Sequence, residues 1–212
     1  MMGGMSEGRR IRGLDAEQRK ALRRRQLLDS ALELFAEQGY AATSIEQLCQ
    51  HAFVGTKGFY ETFDSREACY LALLAEITER TEALMNARLA EGADEPALVD
   101  AFADALVGDP RIAQVAFGHG MAVSPALEHA RRENRRWAAS FVIRVWQSSG
   151  LATAPAAHLR VAATGLVGGM FDLIADWLVT AEPTDTGPLR SALTGFYAVV
   201  RAGVVTAAPA RS

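Results

Sequence analysis

Apolar residues recur along this chain at spacings of three and four. No stretch alternates apolar with polar for more than a few residues, so the pattern predicts helices throughout and no sheet. The first helix begins after Asp15, whose side chain can cap it together with Gln18, and runs to about residue 38. Leu28, Ala31, Leu32 and Phe35 are its inner stripe, Gly39 ends it, and Tyr40 is free to fold back. Thr43 and Glu46 form a T-x-x-E cap, and Ile45, Leu48, Cys49 and Ala52 then follow at helical spacing. His51-Ala52-Phe53 is read as a turn. A second short helix spans 54–60, with Val54 and Phe59 facing inward.

Behind this front section the helices lengthen. Asp64 and Glu67 are read as the cap of a helix that starts near Ser65 and reaches about residue 90, with Leu73, Leu74, Ile77, Thr81 and Leu84 on one stripe. Gly92 and Pro96 separate it from a helix over 97–107. Pro110 opens a short one to 117, and Gly118-His119-Gly120 is a corner. Further helices are expected over 125–148, 156–180 and 189–205. The second of these is apolar on nearly all sides and must be covered on more than one face. Asp172 and Asp176 within it favour a buried helix over a membrane span. The expected fold class is all-α: a basic flexible tail over 1–14, a three-helix head over 15–63, a six-helix body over 64–205, and a frayed end over 206–212.

The exposed side of the second short helix carries Gly55, Thr56, Lys57 and Gly58. A helix laid into the DNA major groove needs such a side. Small residues let the backbones approach, Thr meets base-edge groups, and Lys reaches guanine. Tyr60 and Arg66 flank it and suit phosphate oxygens. From spacing alone, an ordinary helical surface explains the same residues.

The order of elements is more specific than any one of them. The stretch LLDSALELFAEQGYAATSIEQL, then Val54, Phe59, Tyr60 and Phe63 in V-x-x-x-x-F-Y-x-x-F, then DSREACYLALL, resembles the TetR family of one-component repressors over about residues 26–75. The resemblance implies a helix-turn-helix head contacting double-stranded DNA through Thr43, Ser44, Gly55, Thr56, Lys57, Gly58, Tyr60 and Arg66. It implies a homodimer on a near-palindromic operator, joined through the last two helices, with Leu166, Met170, Ile174, Trp177, Leu193, Phe196 and Tyr197 as the interface. It also implies a body cavity whose small-molecule effector releases DNA. Phe102, Phe117, His119, Met121, Trp137, Phe141 and Met170 are its candidate wall, and their character suggests an apolar or aromatic effector. Two residues depart from the family pattern. Phe53 stands where Gly is usual, at a position where positive φ is costly for a bulky side chain, and Gly55 stands where Ser is common.

Composition sharpens this in three ways. The net charge is −3, but eight Lys and Arg between Arg9 and Arg25 oppose only Glu7, Asp15 and Glu17, so positive charge sits at the head. Cys49 and Cys69 each lie on an apolar stripe and read as buried thiols of a reducing cytoplasm. His51, His119, His129 and His158 are not at ligand spacing, and no nucleophile set or phosphate loop occurs. No catalytic residue, metal or cofactor is therefore expected. The competing readings are an all-α enzyme and a helical interaction module that has lost DNA binding.

Overall fold

The structure, a computed structural model, describes residues 15–118, 124–151, 155–180 and 185–207. Nine α-helices and no strand occur among the described residues: α1 (Ala16–Ala42), α2 (Ile45–His51), α3 (Thr56–Tyr60), α4 (Arg66–Ala90), α5 (Glu95–Val107), α6 (Pro110–Phe117), α7 (Pro125–Trp146), α8 (Ala156–Thr180) and α9 (Gly187–Ala207). The all-α expectation holds. A π-helical turn, Gln147–Leu151, continues α7 where a plain helix to 148 was expected, and α9 is longer at both ends than predicted.

The start of α1 is as predicted. Asp15 accepts from the Gln18 amide at 2.7 Å, and Gln18 Oε1 accepts from the Asp15 amide at 2.9 Å. Gly39 breaks the helix with φ 78, a conformation that favours glycine, and the chain resumes helical form as far as Ala42. Tyr40 then folds back onto Phe35 and Tyr70, with ring centroids 5.7 and 5.3 Å away.

Two caps differ from expectation. Ser44, not Thr43, caps α2: its hydroxyl accepts from the Gln47 amide and the Gln47 side chain returns the bond to the Ser44 amide. Ser65, not Asp64, caps α4 by accepting from the Ala68 amide, and Glu67 instead accepts from the Ser124 hydroxyl.

The apolar residues gather in two main cores. One joins Leu27, Phe35, Leu48, Phe59 and Phe63 to Cys69, Tyr70 and Leu73 of α4, and to Val115 and Leu127 from α6 and α7. The other fills the space between α5, α7, α8 and α9 around Trp146, Leu166 and Ile174. The first half of α4 thus belongs to the head core, and its second half to the body. By length and composition α8 could cross a membrane. Here its apolar side packs on α7 and α9, while Asp172 and Asp176 lie on its exposed side.

Candidate functional site

The candidate reading element is α3, and its pose is set from beneath. Phe59 is fully buried, and Val54 and Phe63 nearly so. Phe59 packs against Phe63 at 5.9 Å and edge-on to Tyr60 at 5.6 Å. Gly55 is the N-cap and has no side chain to satisfy the first-turn amides, so that end of α3 offers open N–H groups. The helix is shorter than predicted, because Val54 precedes the cap. Gly55, Thr56 and Lys57 are exposed, and Tyr60 is 54% exposed. Together they form one polar, cationic surface.

Three expected DNA contacts have other work. Thr43 is 0% exposed: its hydroxyl donates to the Gly39 carbonyl at 2.8 Å and accepts from Gln38 Nε2 at 3.1 Å. That arrangement locks the corner between α1 and α2 and leaves no part of the side chain at the surface. Arg66 donates to the Thr43 carbonyl and lies 4.2 Å above the Tyr40 ring, so it ties α4 to the same corner. Gly58 faces inward, where an added Cβ would stand 3.0 Å from Val54 Cγ1 and 3.6 Å from Arg23 Cδ. Glycine here lets α1 approach α3. Ser44 uses its lone pair as a cap and keeps its O–H hydrogen for an outside acceptor.

The N-terminal arginines are partly absorbed too. Arg23 pairs with Glu61 at 2.8 Å, Arg25 with Asp29 at 3.7 Å, and Arg24 lies 5.2 Å from the Phe63 ring. Phe53 takes the left-handed conformation feared for it, with φ 54, and its ring is 95% exposed. Burial raises the Cys49 thiol pKa, partly offset by its hydrogen bond with Thr56, and pushes Cys69 up to about 12. Both are protonated, unreactive thiols at neutral pH.

In the body, a cavity of about 570 Å³ lies between α4, α5, α6, α7 and α8. Phe102, Phe117 and Trp137 line it, as expected. Phe141 and Met170 do not; with Phe102 and Trp137 they line a separate, much smaller cleft of about 60 Å³. His119 and Met121 lie outside the described residues. The expected wall omitted Phe171, which stacks on Phe102 at 6.3 Å and meets Phe117 at 5.0 Å. It also omitted the α4 face at Leu71, Leu74 and Thr78 and the charged rim. The three- and four-residue repeat of 71, 74, 78 and 82 was the available signal.

The expected interface residues are largely interior to the protomer. Leu166, Ile174 and Leu193 are fully buried, and Met170 and Trp177 nearly so; Phe196 and Tyr197 are half-buried. Phe196 fills the space above Gly169, where a Cβ would stand 2.6 Å from its ring. Tyr197 accepts from Trp146 Nε1 at 2.9 Å and donates to Glu95 at 2.6 Å. The free side of α8 and α9 instead shows Val161 at 74% exposure, Val199 at 71%, and Gly165, Gly168, Gly195 and Gly203 facing open space. In a helix apolar all round, the bulkiest side chains, Leu166, Phe171, Ile174 and Trp177, went to the protomer core, leaving Val161, Gly165 and Gly168 outward.

Residues 27–73 match the family described as bacterial regulatory proteins, tetR family. An HTH-type transcriptional repressor of Mycobacterium tuberculosis is 35% identical over 71 residues, 34% of this chain and 38% of its own. The chain therefore spans little more than a third of that relative's length. The HTH-type transcriptional activator FasR of Mycolicibacterium smegmatis is 27% identical over 168 residues, 77% of this chain and 75% of its own. In fold, FadR of Bacillus subtilis, solved in complex with stearoyl-CoA, superposes with a TM-score of 0.68 at 18% identity, over 87% of this chain and 99% of that one. Residues 27–73 thus carry the head of the TetR family of bacterial regulatory proteins, and the all-helical body behind it shares the fold of the solved regulators.

Proposed function

We propose that this protein is a dimeric transcriptional repressor that lays α3 in the major groove of a near-palindromic operator and is released when a small molecule fills the body cavity. The observation that carries this reading is the α3 surface: Gly55, Thr56, Lys57 and Tyr60 stand exposed on a helix clamped from beneath by Phe59 and Phe63. A rigid cationic ridge with small residues at its open N-terminus suits base edges and phosphates together. Lys57 is the candidate base contact, and Ser44 and Tyr60 are candidate phosphate contacts.

One five-residue helix reads too little sequence alone, so two heads must act on two half-sites. The free face of α8 and α9 supplies the joint. Val161, Gly165 and Gly168 fall at i, i+4 and i+7 on α8, and small side chains let the helices of a second copy approach closely. The cavity is of ordinary ligand size, within about 300–1,000 Å³. The helix α4 runs from the head core at Cys69, Tyr70 and Leu73 to the cavity wall at Leu74, Thr78 and Glu82, so a ligand pressing on it can move the head. A typical coupling is about 1–3 kcal/mol.

Selection of bound duplexes from a random pool tests this reading. The expected product is a two-fold symmetric site with half-sites about one DNA turn or more apart; no enrichment contradicts it. The likeness to an activator, FasR, favours a second reading of the output. A reporter placed behind the recovered site distinguishes them, since expression falls for a repressor and rises for an activator.

A further inference from the structure

The cavity has aromatic walls and a charged mouth. Glu79, Glu82, Glu133 and Asp172 line it, against Arg131 and Arg135. Two of these six are matched by residues outside it: Arg131 by Glu128 at 3.2 Å, and Glu133 by Arg136 at 2.5 Å. That leaves Glu79, Glu82 and Asp172 opposite Arg135, a surplus of negative charge.

Glu79 and Glu82 are three residues apart on α4, neighbours on the helix surface, where like charges repel. Burial, and then the charge of Glu79, raise the pKa of the Glu82 carboxyl. A cation between the two carboxylates relieves both penalties at once. The aromatic wall points the same way. The Arg135 guanidinium lies 5.9 Å from the centroid of the Phe171 ring, so that ring already serves a cation. Arg135 is exposed and can swing into water.

We infer that the effector is a lipophilic monocation, its apolar groups among Phe102, Phe117, Trp137 and Phe171 and its charge between Glu79 and Glu82 of α4. This rests on the cavity being the effector site. The charge grips the helix that carries the head core, so the inference also says where the ligand pulls. An acyl-CoA, the ligand class named for FadR, brings several negative charges to a mouth already in acid surplus.

Tetraphenylphosphonium and tetraphenylborate are nearly equal in size and shape and opposite in charge. Each is titrated calorimetrically into the full chain, with oleoyl-CoA as a third probe. The phosphonium is expected to bind at least about tenfold tighter than the borate. Glu82→Gln is expected to weaken the phosphonium about tenfold and not the borate; Arg135→Gln is expected to tighten it. Circular dichroism checks that each variant keeps its helices. Borate or oleoyl-CoA binding as tightly as the phosphonium, no binding by either ion, or an unchanged Glu82→Gln affinity overturns the inference. Operator binding is measured on the same ligand-free samples. If it persists while the phosphonium fails, the ligand class alone falls; if it is absent, the regulator reading falls.

Discussion

The Tyr70 hydroxyl on α4 donates to the Val115 carbonyl on α6 at 2.6 Å, and both residues are buried. Val115 lies in the last turn of α6, where carbonyls lack helical partners, so the bond satisfies a group that burial would otherwise strand. The same tyrosine meets Phe35 edge-on at 5.1 Å. One side chain thus joins the head core to the body. Glu33 of α1 reinforces the joint, holding His51 at 3.1 Å and Arg111 of α6 at 3.3 Å.

Tyr70→Phe removes that hydrogen bond and leaves the carbonyl buried. Urea unfolding should show a loss of about 1 kcal/mol. Operator affinity without ligand should persist, while the drop caused by ligand shrinks. A full ligand response in the variant would show that coupling takes another route.

Phe53 holds a left-handed backbone with its ring in solvent, and neither feature stabilises the protomer. Phe53→Gly should raise the unfolding free energy by about 1 kcal/mol by relieving that conformation. Calorimetry reads this as a higher Tm. A lower Tm would mean the ring has a partner in the folded protein.

Adjacent glycines on α8 should behave in opposite ways. A Cβ at Gly168 meets nothing within 4 Å, whereas one at Gly169 would stand 2.6 Å from the Phe196 ring. Gly168→Leu should keep the protomer folded and shift light scattering from dimer to monomer. Gly169→Leu should overpack the α8–α9 contact and cost about 1–3 kcal/mol. A Gly168→Leu dimer of normal stability would move the interface elsewhere.

The polar cluster linking α5, the π-helical turn and α9 sets an acid limit. Burial alone raises the Glu95 pKa, but hydrogen bonds from Ser149, Tyr197 and Arg201, with the Arg201 charge, outweigh it and hold the carboxyl below its ordinary 4.5. A depressed folded pKa contributes stability that is fully present above the ordinary value and lost as pH falls through the lower one. Stability should therefore fall on the acid side of pH 4.5, and Glu95→Gln should flatten that limb. Unfolding curves taken from neutral pH downward check this; an unchanged slope removes Glu95 from the account.

How much of this was legible in the sequence depended on whether the cause was local. The Asp15–Gln18 box, the Gly39 break and the extent of α8 are set by neighbours in sequence, and they match expectation. Thr43 and Ser44 each begin a plausible capping box one residue apart. Only the burial of Thr43 beneath Gln38 and Gly39 decides between them. Arg66 looked free for phosphate until the fold brought Tyr40 beneath it. A helix apolar on every side, such as α8, does not reveal which side its own chain covers. The cavity mouth gathers charges from α4, α7 and α8, whose crossing no local pattern encodes.

The most direct test of the central claim is fluorescence anisotropy with the selected operator duplex, ligand-free, across a salt series. The account predicts two protomers per duplex, affinity that falls steeply as salt rises, and a loss of about 1–3 kcal/mol in Lys57→Ala. No salt-dependent binding to the duplex, or a Lys57→Ala titration that overlays the wild type, would contradict it.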